Sequence, residues 1–278
     1  MRRFVSLLTL SPEDFLRDVG LTREQFLAVR DQLVAIIAAE RARWPMKNRG
    51  KQTSRLTVAD KFLLTLPSVR HYPTFQQLGR QFGISESYAH KLYDRYRGYL
   101  VKILRLPGHQ ALLNPRMTAL LIDVPEQPIE RPRRRQRISY SGKKRRHTIK
   151  AQLIVCFFSL QILSVVCGTG RIHDFALLKQ ARLHIAALIE KYADSGYQGI
   201  GKWYRNSLTP IKKPKHRELT PEERAYNRAL ARVRIHIEHV NRRCKIFRIV
   251  KETYRGKHRH VHLTWTLVAA LVNVRYAV

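Results

Sequence analysis

The feature that most constrains the fold is a long run without glycine, from Thr220 to Phe247. It opens with Thr220, Pro221, Glu222 and Glu223. These are an N-cap residue, a first-turn proline and first-turn acids, which are typical of a helix start. We therefore predict one long, strongly basic helix in the last quarter of the chain.

Four side chains share one side of this predicted helix. Arg234, Glu238 and Arg242 are spaced four residues apart, and Lys245 follows Glu238 by two turns. Glu238 is the only carboxylate in the second half of the run. It is therefore either an ion-pair partner of the two arginines or a metal ligand. The helix alone favours the ion pair, and features elsewhere in the chain shift the balance.

The charge of the chain points to a polyanionic partner. Its 278 residues include 53 Lys and Arg against 20 Asp and Glu, which gives a net charge of +33. With 44% hydrophobic residues it can still bury a core. Nucleic acid suits this charge through phosphate contacts and counterion release. The alternatives are a ribosomal-type protein, usually shorter, and a membrane-surface binder, which needs an anchored basic amphipathic helix that is not evident.

Cysteine usage and hydropathy define the expected compartment. The three cysteines, Cys156, Cys167 and Cys244, lack CxxC spacing, which disfavours a disulfide framework or a zinc site and fits a reducing compartment. No run of 18 apolar residues occurs, and the stretch from Leu263 to Val274 is predicted to be a buried core helix. We expect no membrane partner.

The N-terminal third is predicted to be helical. The sequence Ser11-Pro12-Glu13-Asp14 begins one helix, and Thr22 with Gln25 forms a capping box for a second. Residues Thr57 to Leu66 form a third helix, which Pro67 is expected to stop. The polar, basic segment from Met46 to Arg55 is predicted to be a loop.

A helix-turn-helix pattern follows between Tyr72 and Tyr93, with a tight turn at Gly83 and an N-cap at Ser85. An ordinary helical hairpin is the alternative. The second helix is expected to present polar residues to DNA, namely Ser85, Glu86, Ser87, His90, Lys91, Asp94, Arg95 and Arg97.

The periodicity changes after a linker marked by Pro107-Gly108 and Asn114-Pro115. Apolar or alternating runs then predict a mixed α/β domain, with a helix from Asp174 through Gln180 between strands. The predicted strands are Thr118–Ile122, 148–158, Ile162–Val166, Lys191–Ala193 and Ser207–Ile211.

A basic loop from Pro128 to Arg146 separates the first two strands. Such a charge run is usually a solvated face. Its interruption by Tyr140-Ser141-Gly142 is equally consistent with a segment that binds a phosphate backbone. Its nine cationic residues are Arg131, Arg133, Arg134, Arg135, Arg137, Lys143, Lys144, Arg145 and Arg146.

Two of the few acids in the α/β region, Asp123 and Asp194, each follow an apolar strand. Carboxylates at the carboxyl ends of strands face the crevice where α/β sheets bind ligands. Glu238 can supply a third carboxylate from the long helix. Three converging carboxylates require a divalent cation between them, and oxygen ligands favour Mg²⁺ or Mn²⁺. Two such ions suit phosphodiester hydrolysis.

These motifs together resemble the DDE transposases of bacterial insertion sequences, nearest to the insertion-sequence-five group, which is similar to Harbinger-type transposases. The resemblance runs from about Leu56 to Tyr276, and the order and spacing of its motifs make it specific. The motifs are Leu121-Ile122-Asp123, the block 140–148, Gly170-Arg171-Ile172-His173-Asp174, the block 193–199, the block 210–214 and Arg234-(x3)-Glu238-(x6)-Lys245.

The resemblance implies an α/β catalytic core that is RNase H-like, a mixed sheet flanked by helices, preceded by an all-α helix-turn-helix region. Asp123, Asp194 and Glu238 become the metal-binding triad for Mg²⁺ or Mn²⁺, with two ions. Arg234 and Lys245 match the family's supporting residues. The expected domains are an N-terminal helical segment (1–54), the helix-turn-helix region (55–106) and the catalytic domain (116–278).

Two departures from the family pattern stand out. Ala231 occupies the position of a family tyrosine, and Val124-Pro125 replaces a small residue and threonine after Asp123. The second departure is expected to stiffen or shift the first catalytic strand.

Two further clusters have competing interpretations. Asp174 is a simple N-cap, a supporting residue or an alternative to the preferred second ligand Asp194. His258, His260 and His262 are expected to form a basic surface and not a zinc site.

The resemblance therefore predicts a transposase that cleaves and joins element ends as a homodimer or higher assembly. Its partners are double-stranded DNA at terminal inverted repeats and at the target, in the bacterial cytoplasm at the nucleoid. Lys143, Lys144, Arg145 and Arg146 are expected to contact phosphates. The rival hypotheses are a stand-alone nuclease on the same core and an inactive DNA-binding relative.

Overall fold

The computed structural model describes residues 3–43 and 56–277, which divide into two compact units. Residues 247–249 and 270–277 group with the N-terminal helices up to residue 105, and residues 106–246 and 250–269 form the second unit. The predicted loop from Met46 to Arg55 lies outside the described residues. No helix in the described ranges combines the length and apolar character needed to cross a membrane.

Helices whose starts are marked in the sequence build the first unit. Ser11 caps one by accepting a hydrogen bond from the Asp14 amide at 3.1 Å, and Thr22 and Gln25 form the predicted reciprocal box. Both predicted helix starts are therefore confirmed. The helices are α1 (Phe4–Leu7), α2 (Pro12–Val19), α3 (Arg23–Arg43), α4 (Val58–Arg70), α5 (Phe75–Phe82) and α6 (Glu86–Ile103).

The prediction that Pro67 ends the third long helix is wrong, because α4 continues to Arg70. Proline removes one backbone donor and is unfavourable inside a helix. Here its neighbours Leu66 and Val69 are fully buried, as is Pro67 itself. The apolar surface that this last turn buries outweighs the lost hydrogen bond.

The helix-turn-helix prediction is confirmed by the geometry of α5 and α6. Gly83 ends α5 in the left-handed conformation (φ 64°), and the Ser85 hydroxyl accepts from the Tyr88 amide at 3.3 Å to begin α6. A side chain at Gly79 would meet the Ile84 carbonyl oxygen at 2.6 Å, so the turn packs directly on the first helix. Glycine is therefore required at both positions.

The second unit contains a mixed sheet, as predicted. Its strands are β1 (Ala119–Asp123), β2 (Glu126–Pro128), β3 (Tyr140–Ser141), β4 (Arg146–Cys156), β5 (Ile162–Thr169), β6 (Glu190–Ala193) and β7 (Ser207–Leu208). β4 pairs antiparallel with β1, β2, β3 and β5, whereas β1 and β6, and β6 and β7, are parallel. The order across the sheet is therefore β5-β4-β1-β6-β7, with β2 beside β4 beyond the end of β1.

Val124 and Pro125 interrupt the first strand without shifting its register. Asp123 pairs with Leu153 before the interruption, and Glu126 pairs with Lys150 after it. The chain through β1 and β2 and the facing strand β4 therefore both advance by three residues. The Pro125 carbonyl accepts a hydrogen bond from the Ala151 amide at 3.0 Å. The expected shift of the catalytic strand therefore does not occur, because proline removes only a donor and keeps its acceptor.

The connecting segments before and between the strands contain short elements that the sequence did not reveal. They include α7 (Gly108–Leu112) in the predicted linker and α8 (Gln136–Ser139) in the predicted basic loop. Strand β7 ends at Leu208, earlier than the predicted Ile211. Segments this short carry too few residues to show a period.

Long helices cover the sheet. Phe175 and Leu178 of α9 (Asp174–Ala181) pack with Ile122, Ile154 and Ala193 on one face. On the opposite face, α10 (Pro221–Lys245) contacts β1 and β6. The remaining helices are α11 (Arg248–Lys251) and the predicted buried helix α12 (Val261–Arg275).

Candidate active site

Asp123 ends the central strand β1 and is half-buried. Its Oδ2 accepts a hydrogen bond of 2.5 Å from the Nδ2 of Asn241 in α10. Burial raises the pKa of Asp123, and the negative charge of Asp194 raises it further. A hydrogen bond from the Val124 backbone, the Asn241 bond and the charge of Arg234 oppose this rise. The carboxyl end of β1 therefore carries an acid whose charge is poorly compensated within the protein.

Asp194 follows β6, the parallel neighbour of β1. Ile122 pairs with Ala193, so Asp123 and Asp194 leave adjacent strands at the same edge. The Asp194 Oδ1 accepts from the Gly196 amide at 2.7 Å, which fixes the turn after the strand. The two aspartates come together as the sequence predicted for strand ends.

Asp174 lies beside this pair, although it is not an N-cap. It is the first residue of α9, and His173 holds the cap position without a side-chain bond. The Asp174 Oδ1 accepts from the Nζ of Lys150 at 2.8 Å. A side chain at Gly196 would lie 2.7 Å from the Asp174 Oδ2 and 2.9 Å from the Asp194 Oδ1. Glycine therefore lets these two carboxylates approach each other.

Tyr197 lies under the three aspartates and is fully buried. Burial raises its pKa well above the ordinary value, and the charges of Asp174, Asp123 and Asp194 add to the rise. Its hydroxyl donates to the Oε1 of the buried Gln152 at 3.1 Å. The phenol therefore stays protonated and forms a buried neighbour of the three aspartates.

Glu238 is exposed on α10 and lies three residues before Asn241. Within residues 3–43 and 56–277, its carboxylate has no ion pair or hydrogen bond, so the ion-pair alternative is not seen. Residues three apart on a helix lie about 5–6 Å from each other. In the described ranges, however, no three His, Cys, Asp or Glu residues are arranged to hold a metal ion. The structure thus brings the aspartates together but leaves Glu238 outside their cluster.

The two basic residues of the same helix differ in position. Arg234 is half-buried, and its charge acts on Asp123. Lys245, at the last position of α10, is exposed.

The residues predicted to contact DNA are exposed in both units. Ser85, Ser87, His90, Lys91 and Arg95 are exposed on α6, where the Ser85 hydroxyl also serves as the N-cap. Lys143, Lys144, Arg145 and Arg146 are exposed around the turn between β3 and β4.

The expectation that Arg97 faces outward is wrong. Arg97 is buried, pairs with Asp94 at 2.7 Å and lies over the Tyr93 ring at 5.0 Å. Its position two residues after Arg95 turns it to the core side of α6.

Comparison with known proteins matches residues 122–273 to the DDE superfamily endonucleases. Residues 54–105 match the helix-turn-helix of DDE superfamily endonucleases. The chain belongs to the DDE endonuclease superfamily. It is also 37% identical over 272 residues to a probable transposase for insertion sequence element IS702 from Microchaete diplosiphon, covering 96% of each chain. No solved structure matches it.

Membership of the DDE superfamily fits the structure in both units. The sheet flanked by helices is consistent with an RNase H-like core, and the helix-turn-helix implies DNA binding. The superfamily consists of nuclease-type enzymes, which generally use divalent metal ions. Resemblance to the insertion-sequence-five group stays a prediction, since the matches name the superfamily and the relative only.

The oxygen donors at this edge of the sheet suit a hard divalent cation. The carboxylates of Asp123 and Asp194 supply oxygen ligands at one strand edge, and Glu238 has no competing partner in the described ranges. The Oδ1 of Asn241 is buried and lacks a hydrogen-bond partner among the described residues. Oxygen-rich sites of this kind select Mg²⁺ or Mn²⁺ over softer metals.

Sequence reasoning missed four residues at this site: Lys150, Gln152, Tyr197 and Asn241. Lys150 and Gln152 gave a signal as polar members of an alternating strand, which usually indicates a solvent face. Here that side of β4 is covered, and Gln152 is fully buried. Asn241 gave a weaker signal through its position one turn after Glu238.

The histidines near the C-terminus do not form a metal cluster in the described residues. The ring of His262 instead shares a hydrogen bond of 3.2 Å with the Val165 carbonyl. His258 and His260 belong to a single 3₁₀ turn before α12.

Proposed function

We propose that this chain is a DNA transposase that binds the terminal inverted repeats of its element, hydrolyses a phosphodiester bond at each end and joins the 3′-hydroxyl ends to target DNA. The observation that carries the proposal is the meeting of Asp123 and Asp194 at the ends of adjacent parallel strands, with α10 tied to the same edge through Asn241.

Asp123, Asp194 and Glu238 would hold two Mg²⁺ or Mn²⁺ ions. Bound there, the ions would supply an activated water and stabilise the leaving oxygen of the phosphodiester. Burial and, to a smaller extent, the charge of Asp194 raise the pKa of Asp123, and a bound cation would offset both effects.

The neighbouring side chains orient these ligands. Asn241 donates to one oxygen of Asp123 and would thereby orient the carboxylate toward a metal. Arg234 contributes positive charge near Asp123, and with Lys245 it would hold DNA phosphates or orient Glu238. Residues that hydrogen-bond to metal ligands and orient them contribute to the affinity of a metal site.

We assign Asp174 a supporting role. One of its oxygens is engaged by Lys150, and it begins a helix, whereas Asp194 ends the strand beside Asp123. Asp174 would shape the position of Asp194 across Gly196.

DNA recognition would divide between two surfaces. Ser85, Ser87, His90, Lys91 and Arg95 of α6 would contact the terminal repeats. The hairpin cations at 143–146 would contact the backbone of end and target DNA. Joining two ends needs two copies of the site, so we expect a homodimer or higher assembly on DNA, acting at the nucleoid in the cytoplasm.

The test is metal-dependent cleavage of a DNA fragment that carries the element's own end. The native chain would be compared with Asp123→Ala, Asp194→Ala, Glu238→Ala and Asp174→Ala. Glu222→Ala is the matched control, since it removes a carboxylate from the same helix roughly 24 Å from Glu238. Filter binding of the uncut fragment would run in parallel.

We expect Mg²⁺-dependent nicking by the native chain and by the control. The first three variants should bind DNA but not cut it, and Asp174→Ala should retain part of the activity. Activity in Asp194→Ala with none in Asp174→Ala would reverse the choice of second ligand. Nicking without end joining would favour the stand-alone nuclease, and binding without nicking under either metal would favour the inactive relative.

A further inference from the structure

A cavity lies at the base of the β3–β4 hairpin, outside the proposed catalytic residues. It has a volume of about 650 Å³ and is lined by Arg131, Arg137, Tyr140, His147 and Arg171, together with Gln136 and Gly142. This volume falls within the usual range of small-ligand pockets. Its lining includes none of the proposed catalytic residues and none of the cations at 143–146 that are proposed to contact phosphates.

The aromatic side chain is the unusual component of this cavity. Tyr140 is 45% exposed, although its ring is braced by His147 at a centroid distance of 5.6 Å and an interplanar angle of 74°. An exposed aromatic ring on a nucleic-acid-binding surface offers a platform for base stacking. The paired backbone of Tyr140 and His147 holds that platform rigidly.

Three arginines line the cavity together with Tyr140. Arg131, Arg137 and Arg171 are exposed, and among the described residues none pairs with a carboxylate. The Nε of Arg131 donates to Gln136 at 3.0 Å, and the Arg171 amide donates to the Ile138 carbonyl at 3.1 Å. The cavity therefore combines positive charge with an aromatic surface. Its ligand should carry both a phosphate and a flat ring.

The position of the cavity relates it to the acidic cluster. His147 lies three residues before Lys150 on β4, roughly 10 Å along the strand, and Lys150 contacts Asp174 at 2.8 Å. Arg171 lies three residues before Asp174 in the chain. The cavity is therefore lined in part by residues from β4, which supplies Lys150, and from the β5–α9 connection, which leads into Asp174.

We propose that this cavity binds an extrahelical nucleotide of the element end, with its base stacked on Tyr140 and its phosphate held by the arginines. The inference rests on the proposed function for the source of the DNA. A base inside a duplex presents only its edge to a protein, so stacking on Tyr140 requires the base to leave the helix. Phosphate contacts by the cations at 143–146 would not by themselves require an aromatic side chain in the cavity.

The experiment measures base unstacking directly, without cleavage. Duplexes of the element end would carry 2-aminopurine at single positions within four nucleotides of the scissile phosphate. Fluorescence and anisotropy would be recorded in EDTA for the native chain, Tyr140→Ala, Tyr140→Phe and Arg137→Ala. Phe158→Ala is the matched control, because Phe158 is 72% exposed and follows the far end of β4, the strand with which the Tyr140 strand pairs.

We expect a fluorescence change at one position, consistent with an unstacked base, that is retained in Tyr140→Phe and Phe158→Ala and lost in Tyr140→Ala. Tyr140→Ala should weaken binding by about 5- to 100-fold, the range for one base–aromatic stack. An abasic site at that position should weaken the native chain similarly and Tyr140→Ala hardly at all. Arg137→Ala should weaken binding while keeping the position of the signal.

Three results would overturn the inference. The first is no fluorescence change at any position, and the second is an equal loss of DNA affinity in Tyr140→Ala and Phe158→Ala. The third is a loss of DNA affinity in Arg137→Ala with none in Tyr140→Ala. The last result would mean that the cavity holds duplex phosphates only. Thermal unfolding would show whether Tyr140→Ala is misfolded. If it is, the loss of affinity of the native chain for the abasic duplex tests the inference instead. Cleavage in Mg²⁺ is scored separately, so the two proposals can fail independently.

Discussion

The Nδ2 of Asn241 donates a hydrogen bond of 2.5 Å to the Oδ2 of Asp123, joining the long basic helix to the end of the central strand. The Oδ1 of the same amide is buried without a hydrogen-bond partner in the part of the chain that the structure describes. Asn241 therefore fixes a carboxylate and leaves an unsatisfied acceptor at the proposed metal site.

The first prediction concerns this contact. Asn241→Ala should lower Mg²⁺-dependent nicking about 10- to 100-fold, the usual effect of losing an outer-shell partner of a metal ligand. The loss should shrink when the Mg²⁺ concentration is raised, because the metal is bound more weakly. Metal titrations of nicking would measure it, with DNA binding as the control. Unchanged metal dependence would contradict the assigned role.

The second prediction concerns Asp123 in the absence of metal. Its pKa is raised above the ordinary value of about 4, chiefly by burial, so the folded state holds the proton more tightly than the unfolded state does. Its ionisation therefore destabilises the fold as pH rises through the folded pKa. Asp123→Asn should raise Tm at pH 7 in EDTA, and the gain should shrink on acidification below the ordinary pKa.

Differential scanning fluorimetry of both proteins across this pH range would measure the effect. Adding Mg²⁺ should raise the Tm of the native chain and leave Asp123→Asn nearly unchanged, because only the native site binds the ion. A lower Tm for Asp123→Asn at pH 7 would count against the assignment.

The third prediction concerns the ion pair of Lys150 and Asp174. The Lys150 side chain is 11% exposed, and its ammonium also donates to the Ile172 carbonyl at 2.7 Å. Lys150→Met should destabilise the fold by about 1–3 kcal/mol, between the values for surface and fully buried pairs. Lys150→Met with Asp174→Asn should recover part of this loss, because no unpaired charge remains.

Urea unfolding of the two single variants and the double variant would give the coupling energy. Additive effects would mean that the two side chains do not stabilise each other. Lys202→Met is a suitable comparison, because Lys202 is exposed and its replacement removes a lysine without touching Asp174.

The fourth prediction separates two arginines of α6. Arg95→Ala should weaken DNA binding, reduce the slope of log affinity against log salt by about one and leave Tm unchanged. Arg97→Ala should lower Tm, because it removes a buried ion pair with Asp94 and the contact with the Tyr93 ring. Salt-dependent anisotropy and thermal melts of both variants would distinguish the roles. The reverse pattern would show that α6 faces DNA differently.

The sequence indicated most elements whose signals are local. Caps at Ser11, Thr22, Ser85 and Thr220 began helices as expected, since each cap bonds within three residues of itself. Apolar runs likewise indicated β1 and β6 and so located Asp123 and Asp194 at strand ends. The local prediction was wrong at Pro67, because the turn that follows it is buried and stays helical.

What only the tertiary structure decided is which distant side chains meet. Asn241 is separated by 118 residues from Asp123, and Tyr197 by 45 from Gln152, so no periodicity links them. The polar face of β4 looked solvated in the sequence but is covered, because helix packing and not alternation decides which side of a sheet meets water. The sequence therefore determined most of the long elements and the candidate acids, whereas packing decided their partners, burial and charge balance.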